Sequence, residues 1–318
     1  MLLALATAFA AVIVLMPFTV AFAWRSGAID VPRDWRRMHK QSVPRNGGMA
    51  IILGLTLGSV LLEPTSFLGA LLVCGFAVFF VGLADDVYSL SPWIKLGVQG
   101  AAAVGIVIET TDFQAVESVG AVIWILLLTN AHNFIDGLDG LFGGVAITEA
   151  CGLGLLLWVQ GEMQASEFSF LLGVACFAFR LFNRHPAKIF AGDCGSGSVG
   201  FLLGALSLPL FQNGASELVV SAGLLFAYPL TDLGCAVLRR VLRGKSPFHA
   251  DRGHLHHRIC DAGVTKKDCV AILLGISFGL CGLAVLIGAF HLYDVASVAC
   301  ILLATLLIVI RHRIVMQT

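Results

Sequence analysis

Charge is scarce in this chain. Only 13% of its 318 residues are Asp, Glu, Lys or Arg, against 58% hydrophobic, and the 20 basic and 20 acidic groups cancel. Soluble domains are about 25% charged and about 45–50% apolar, so a soluble domain of any size is excluded. There is no basic excess of the kind nucleic-acid binding needs, and no nucleic-acid partner is expected. Cysteine pairs at metal or redox spacing are also missing. The 9 cysteines contain no CxxC, so neither a disulfide framework nor a zinc site can be read from them. Most lie in apolar runs, where cysteine counts as a small hydrophobe. The first 23 residues carry no charge. A secretory signal starts with basic residues and ends at a small-residue cleavage site. Here the basic residues follow the run, which predicts a retained first transmembrane helix.

What the chain has in abundance is apolar runs. About 20 apolar residues span a bilayer. On that ruler eleven spans are predicted, near residues 2–23, 47–62, 67–84, 95–109, 119–131, 142–160, 168–182, 197–212, 217–238, 268–289 and 295–311, with ten as the alternative count. The predicted fold class is all-α, a single polytopic domain over residues 1–318. Under the eleven-span count all 20 Lys and Arg fall on one side. The opposite loops hold only acids: Glu63, Glu109, Asp112, Glu117, Glu162, Glu167, Glu217 and Asp294. The positive-inside rule makes the basic side cytoplasmic, with the N-terminus outside and the C-terminus inside.

The unusual motifs all fall on the basic side. The first loop carries His39, Lys40, Pro44, Arg45, Gly47 and Gly48. Its Lys40 and Arg45, with backbone N–H groups freed by glycine, suit an anion. A basic anchor for anionic lipid explains them equally well. Asp85 and Asp86 end the third span, where two adjacent acids oppose the helix dipole. They require a nearby cation or proton, and Lys95 is the candidate. Asn130, Asn133, Asp136 and Asp139 recur every third residue, and the two Asp-Gly dipeptides among them read as turns. Carboxylate and amide oxygens together suit a hard cation such as Mg²⁺; helix capping accounts for one or two of the four. Asp193 precedes a glycine-rich helix start, where N–H groups favour phosphate, although glycine there also serves close helix packing. Residues 195–200 match GxGxxG in form, but no strand precedes them, so a dinucleotide fold is rejected. The longest polar loop holds His249, His254, His256, His257, Arg252 and Arg258, a cationic set suited to a diphosphate. A zinc site and a plain basic surface are its alternatives. Glu149 and Asp232 fall inside spans, where ionisable residues are functional suspects. Asp232 is within reach of the cytoplasmic site; Glu149 is without an assignment.

Taken together, these motifs resemble the polyprenyl-phosphate N-acetylhexosamine-1-phosphate transferases, glycosyltransferase family 4. The resemblance rests on H-x4-P-R-x-G-G at 39–48, Asp85-Asp86, N-x-x-N-x-x-D-G-x-D-G-L at 130–141, F-N-x-x-P-A-x-x-F-x-G-D-x-G-S at 182–196 and A-D-R-x-H-x-H-H-R at 250–258. The last motif favours the branch that initiates O-antigen, enterobacterial common antigen and teichoic acid linkage units. The resemblance implies transfer of a sugar 1-phosphate from a UDP-N-acetylhexosamine to undecaprenyl phosphate, with Mg²⁺ (or Mn²⁺ in its place) as cofactor. It implies Asp85, Asp86 and Asp193 as catalytic residues and Asn133 with Asp193 as metal ligands. Asn130, Asp136, Asp139, Lys95, Arg45, His254, His256, His257 and Arg258 would hold the substrates. It further implies a bacterial inner-membrane enzyme with its site facing the cytoplasm, among membrane lipid, with a homodimer as an open option. The competing class is a transporter of a cation or sugar nucleotide. Transporters place their polar residues near the midplane and show repeats, neither of which is evident here. A CDP-alcohol phosphotransferase needs D-G-x-x-A-R, from which Asp136-Gly137-Leu138-Asp139-Gly140 departs.

Overall fold

The computed structural model describes residues 1–32, 41–109, 113–212, 215–246, 253–292 and 294–295. Residues 296–311 of the eleventh expected span lie outside the described residues, as do His39, Lys40, His249 and Arg252 of the expected loops. In chain order the elements are α1 (Leu2–Ser26), β1 (Ile29–Asp30), β2 (Val43–Pro44), α2 (Gly48–Ser59), α3 (Ser66–Tyr88), α4 (Pro92–Glu109) and α5 (Ala115–Ile135). They continue with α6 (Leu141–Val159), α7 (Met163–Asn183), α8 (Gly192–Leu206), α9 (Pro209–Gln212), α10 (Ser216–Leu225), α11 (Ala227–Leu242), α12 (Leu255–Asp261) and α13 (Lys266–Phe290). The two short strands pair antiparallel, Ile29 opposite Pro44.

Among the described residues, 7 helices are long and apolar enough to cross a membrane, or 8 if α10 and α11, bent by 73° at their junction, form one span. The chain is therefore an all-α polytopic membrane protein. The remaining two expected spans inside the described region fall on α2 and α4. Helix α2 has 12 residues; at about 1.5 Å rise per residue it reaches about 18 Å, short of a hydrocarbon core about 30 Å thick. The apolar run itself continues past Ser59 through Val60, Leu61 and Leu62, beyond the helix.

Helix starts follow from local chemistry. The Thr65 hydroxyl accepts the Leu68 N–H (3.2 Å) and opens α3. Gln114 and Glu117 form a reciprocal capping box at the start of α5, satisfying two N–H groups that would otherwise lack partners. Thr265 opens α13 the same way.

Helix α8 is the middle of the bundle. It packs against α3 and α5, with α2 at its start. Every residue of α8 is buried except Asp193. This depth of burial depends on small residues. A Cβ on Gly48 would overlap the Gly195 backbone, and one on Gly200 would sit 2.5 Å from the Leu128 carbonyl. Small residues let membrane helices approach at backbone distance. Gly195 and Gly200 of the formal GxGxxG are thus packing residues here, whereas a Cβ on Gly197 would meet nothing nearer than 4.0 Å.

Candidate active site

The C-terminal ends of α3 and α5 meet the N-terminal ends of α4 and α8, and this is where the chemistry-bearing residues converge. The Lys95 ammonium on α4 donates to Asp85 Oδ2 (3.0 Å) and to Asp193 Oδ2 (2.6 Å). From α5, Asn133 Nδ2 donates to Asp193 Oδ2 at 3.3 Å. The Leu90 N–H donates to Asp85 Oδ1 (2.7 Å), closing the turn after α3. Lys95 is the cation for Asp85, as its spacing suggested, while Asp86 lies against Arg45.

Asp86 has a different task. Its two oxygens accept the N–H groups of Asp193 (2.9 Å) and Cys194 (3.0 Å) at the start of α8. An acid at the end of one helix dipole is thereby set against the favourable end of another. Asp136 works beside it, accepting from the N–H groups of Gly192 (2.9 Å) and Ala191 (3.4 Å). Burial pushes the Asp136 carboxyl well above the usual carboxylate range, opposed by those two N–H donors. The expectation that the start of α8 offers its N–H groups to phosphate is therefore corrected: two carboxylates of the chain already take them. Gly192 has φ +72°, and a Cβ there would run into the Arg45 carbonyl, so only glycine suits this turn.

Arg45 is drawn into the same assembly. Its Nη2 donates to the Asp86 carbonyl (3.1 Å), and its Nε lies 3.7 Å from Asp86 Oδ1. The strand around it is stitched to the α8 entry by Phe190 N–H to Pro44 O (2.8 Å), Gly47 N–H to Phe190 O (2.9 Å) and Gly48 N–H to Ala191 O (2.9 Å). The guanidinium expected to meet an anion lies against the Asp86 carboxylate.

The remaining expected residues form satellites. Asn130 Nδ2 donates to Gln99 Oε1 (3.2 Å) and to the Leu126 carbonyl, tying α5 to α4. Asp139 Oδ2 meets His185 Nδ1 (2.8 Å) and accepts the Ala187 N–H (3.2 Å). This side chain faces an open cleft of about 680 Å³ that Gln41, Pro186 and Lys267 also line. Asn183 locks the intervening turn: its Oδ1 accepts from Gly140 N–H (3.0 Å) and its Nδ2 donates to the Ile189 carbonyl (2.9 Å).

The histidine loop hangs from α11. Asp232 Oδ2 meets His254 Nδ1 at 2.8 Å, and Oδ1 accepts the Leu255 N–H at 2.7 Å. The rings of His254 and His256 stack at 5.7 Å, and His256 and His257 lie 4.2 Å apart. Phe134, next to Asn133, touches His254 at 5.2 Å and lies under Arg240. A Cβ on Gly137 would lie 3.6 Å from His256 Nε2, so the loop borders the α5–α6 turn. Burial and the neighbouring His257 lower the His256 pKa to about 3. That ring is neutral near pH 7, which amends the expectation of a fully cationic loop. Arg258 is exposed. Among the described residues no three His, Cys, Asp or Glu side chains are grouped to hold a metal, which leaves the zinc alternative without a cluster there.

One constellation went unread in the sequence. His132 Nε2 lies 2.6 Å from Glu149 Oε2 with both side chains fully buried, and His132 Nδ1 faces the Leu128 carbonyl at 2.8 Å. The signal was a lone acid in an apolar span, which needs a partner; the partner lies on the preceding helix.

The fold and site together define a polytopic membrane protein whose polar helix ends gather acids, a lysine and histidines at one face. The sequence profile of glycosyl transferase family 4 matches residues 68–210. A probable undecaprenyl-phosphate N-acetylglucosaminyl 1-phosphate transferase of Bacillus subtilis (strain 168) is 30% identical over 285 residues, covering 84% of this chain and 79% of the relative. A decaprenyl-phosphate N-acetylglucosaminephosphotransferase of Mycobacterium tuberculosis (strain ATCC 25618 / H37Rv) is 33% identical over 299 residues, covering 79% and 73%. An undecaprenyl-phosphate alpha-N-acetylglucosaminyl 1-phosphate transferase of Escherichia coli (strain K12) is 28% identical over 281 residues, covering 80% and 75%. The chain belongs to the polyprenyl-phosphate N-acetylhexosamine-1-phosphate transferases of glycosyl transferase family 4.

Proposed function

We infer that this chain transfers N-acetylglucosamine 1-phosphate from UDP-N-acetylglucosamine to undecaprenyl phosphate, releasing UMP. A lipid phosphate oxygen attacks the sugar-bearing phosphorus, and the bond to UMP breaks. One observation carries the reading: four helix ends bring Asp85, Lys95, Asn133 and Asp193 to one point. The relatives named above act on the same classes of lipid and sugar, and none of those names speaks for a transporter.

Phosphoryl transfer is mostly positioning and charge neutralisation. Lys95 shares its one positive charge between two carboxylates and stands within reach of phosphate oxygens. Asp85, held by Leu90 and Lys95, would orient the lipid phosphate or take its proton. His256, neutral and buried, would donate one hydrogen bond to the diphosphate without first losing a proton to water. His254, His257 and Arg258 would flank it, and Asp139 with the adjoining cleft would meet the nucleotide. Asp86 and Asp136 hold the start of α8, and with it Asp193, in place.

A divalent ion, Mg²⁺ or Mn²⁺, fits this donor set. The oxygens of Asp193 and Asn133 are hard ligands, and the Lys95 ammonium already stands as a cation between Asp85 and Asp193. Such an ion prefers few protein ligands plus substrate phosphates. When bound it would offset the charge that develops on the diphosphate.

The eleven-span count, which takes α2 with the apolar residues after it as a short second crossing, the outside N-terminus and a cytoplasm-facing site in a bacterial inner membrane go with this reading. Their support is the one-sided distribution of all 20 Lys and Arg. The direct test incubates membranes with radiolabelled UDP-N-acetylglucosamine, Mg²⁺ and undecaprenyl phosphate. Label extractable into organic solvent is expected. Its absence across a panel of UDP-amino-sugars would overturn the assignment.

A further inference from the structure

Asn133 is held by a residue with one proton and two claims on it. The Ser196 hydroxyl, fully buried, lies 2.8 Å from Asn133 Oδ1 and 2.8 Å from the Gly192 carbonyl. A hydroxyl has a single hydrogen to donate but two lone pairs to accept with. It cannot donate to both oxygens at once. With the amide turned as described, Ser196 donates to Asn133 Oδ1 and Asn133 Nδ2 donates to Asp193, while the Gly192 carbonyl, inside α8, is left to the helical N–H four residues on.

Turning the amide by half a rotation gives a second arrangement, in which Ser196 donates to the Gly192 carbonyl and accepts from the Asn133 NH₂. The cost appears elsewhere: Asn133 Oδ1 and Asp193 Oδ2 then face each other across the 3.3 Å that now separates donor from acceptor. Two oxygens at that separation repel unless a cation lies against both. Amide orientation is settled by such networks, and this network has two consistent solutions, one for an empty point and one for a filled one.

We propose that Ser196 is a positioning residue that turns the Asn133 amide, so that its oxygen joins Asp193 in holding a divalent cation. This rests on the metal reading given above. Ser196 touches neither substrate nor ion; it acts through Asn133. It lies one helical turn beyond Gly192 on α8, so the same helix supplies both the ligand Asp193 and the residue that aims its partner.

The test titrates purified protein with Mn²⁺, reading the electron paramagnetic resonance signal of the free ion, with thermal midpoints alongside. Partners that orient a ligand are worth about 10–100-fold in metal affinity. Ser196→Ala is expected to weaken Mn²⁺ binding about tenfold. In an N133D background the same change is expected to cost less than about twofold, because a carboxylate presents oxygen whichever way it turns. Ser196→Cys, close in size and a weak donor, supplies the same comparison if the alanine variant does not fold. Equal losses in both backgrounds, or a loss in midpoint without one in affinity, would overturn the role of Ser196. Wild type that binds no Mn²⁺, or binds it unchanged after Asp193→Asn, would overturn the metal reading itself and the proposal with it.

Discussion

The acidic cluster and the histidine loop sit side by side and are built on opposite plans. In the cluster each carboxylate has several partners drawn from different elements: Asp85 has Leu90 and Lys95, Asp86 has Arg45 and the start of α8, and Asp193 has Lys95 and Asn133. In the histidine loop one carboxylate, Asp232, holds both His254 and the first N–H group of α12, the histidine rings pack on one another, and Cys269 Sγ meets the His256 carbonyl. A redundant network fixes a geometry within fractions of an ångström, as transfer between two bound phosphates requires.

The comparison can be broken from either side. Asp193→Asn is expected to lower turnover by about 10³-fold or more, with membrane insertion unchanged; label-transfer kinetics and blotting of membranes check it. Lys95→Met removes the charge shared by Asp85 and Asp193 and is expected to cost about 10²-fold in kcat. Lys95→Arg should restore part of it, and equal damage from both would show that the ammonium is not the point of the contact. Asp232→Asn is expected to raise KM for the UDP-sugar about tenfold with a smaller change in kcat. A pure kcat loss would mean that the loop belongs to the rigid centre.

Two smaller effects sharpen the contrast. Glu149→Gln keeps a partner for His132 and is expected to harm turnover less than Asp85→Asn; the reverse order would move the active face into the bundle. His256 gives a stability signature. Its folded pKa of about 3 lies below an unfolded value of about 6.5, so the unfolded chain takes up the proton first. Stability from this group is full above the unfolded value and falls with acid through the window between the two. The loss is expected to reach about 1 kcal/mol by pH 5.5. Denaturation midpoints measured from pH 7.5 to 5.5 should fall less for His256→Asn than for wild type, and parallel curves would contradict the buried neutral ring.

Some of this architecture is legible from residues alone. Asp85 and Asp86 at a helix end called for a cation, and Lys95 answered because a short turn brings the start of α4 back to the end of α3. Arg45 was visible as a charge, but its partner Asp86 was not, since that contact depends on β2 running beside residues 190–191. The glycine-rich start of α8 read as a phosphate site because free N–H groups are what such a start usually offers. Two carboxylates from distant helices fill it, and nothing local to residues 192–200 announces them. The His132–Glu149 pair was hidden for the same reason: it spans two helices whose faces only the packed bundle defines. Patterns within a turn could be read, while partners across the bundle required the packing.

The most direct measurement is the anomalous signal from crystals of the protein grown with Mn²⁺ and UMP. A peak is expected against Asp193 and Asn133, between the ends of α5 and α8. A peak seated instead on His254 and His256, or beside Asp139 and His185, would contradict the claim that transfer is centred on the acidic cluster.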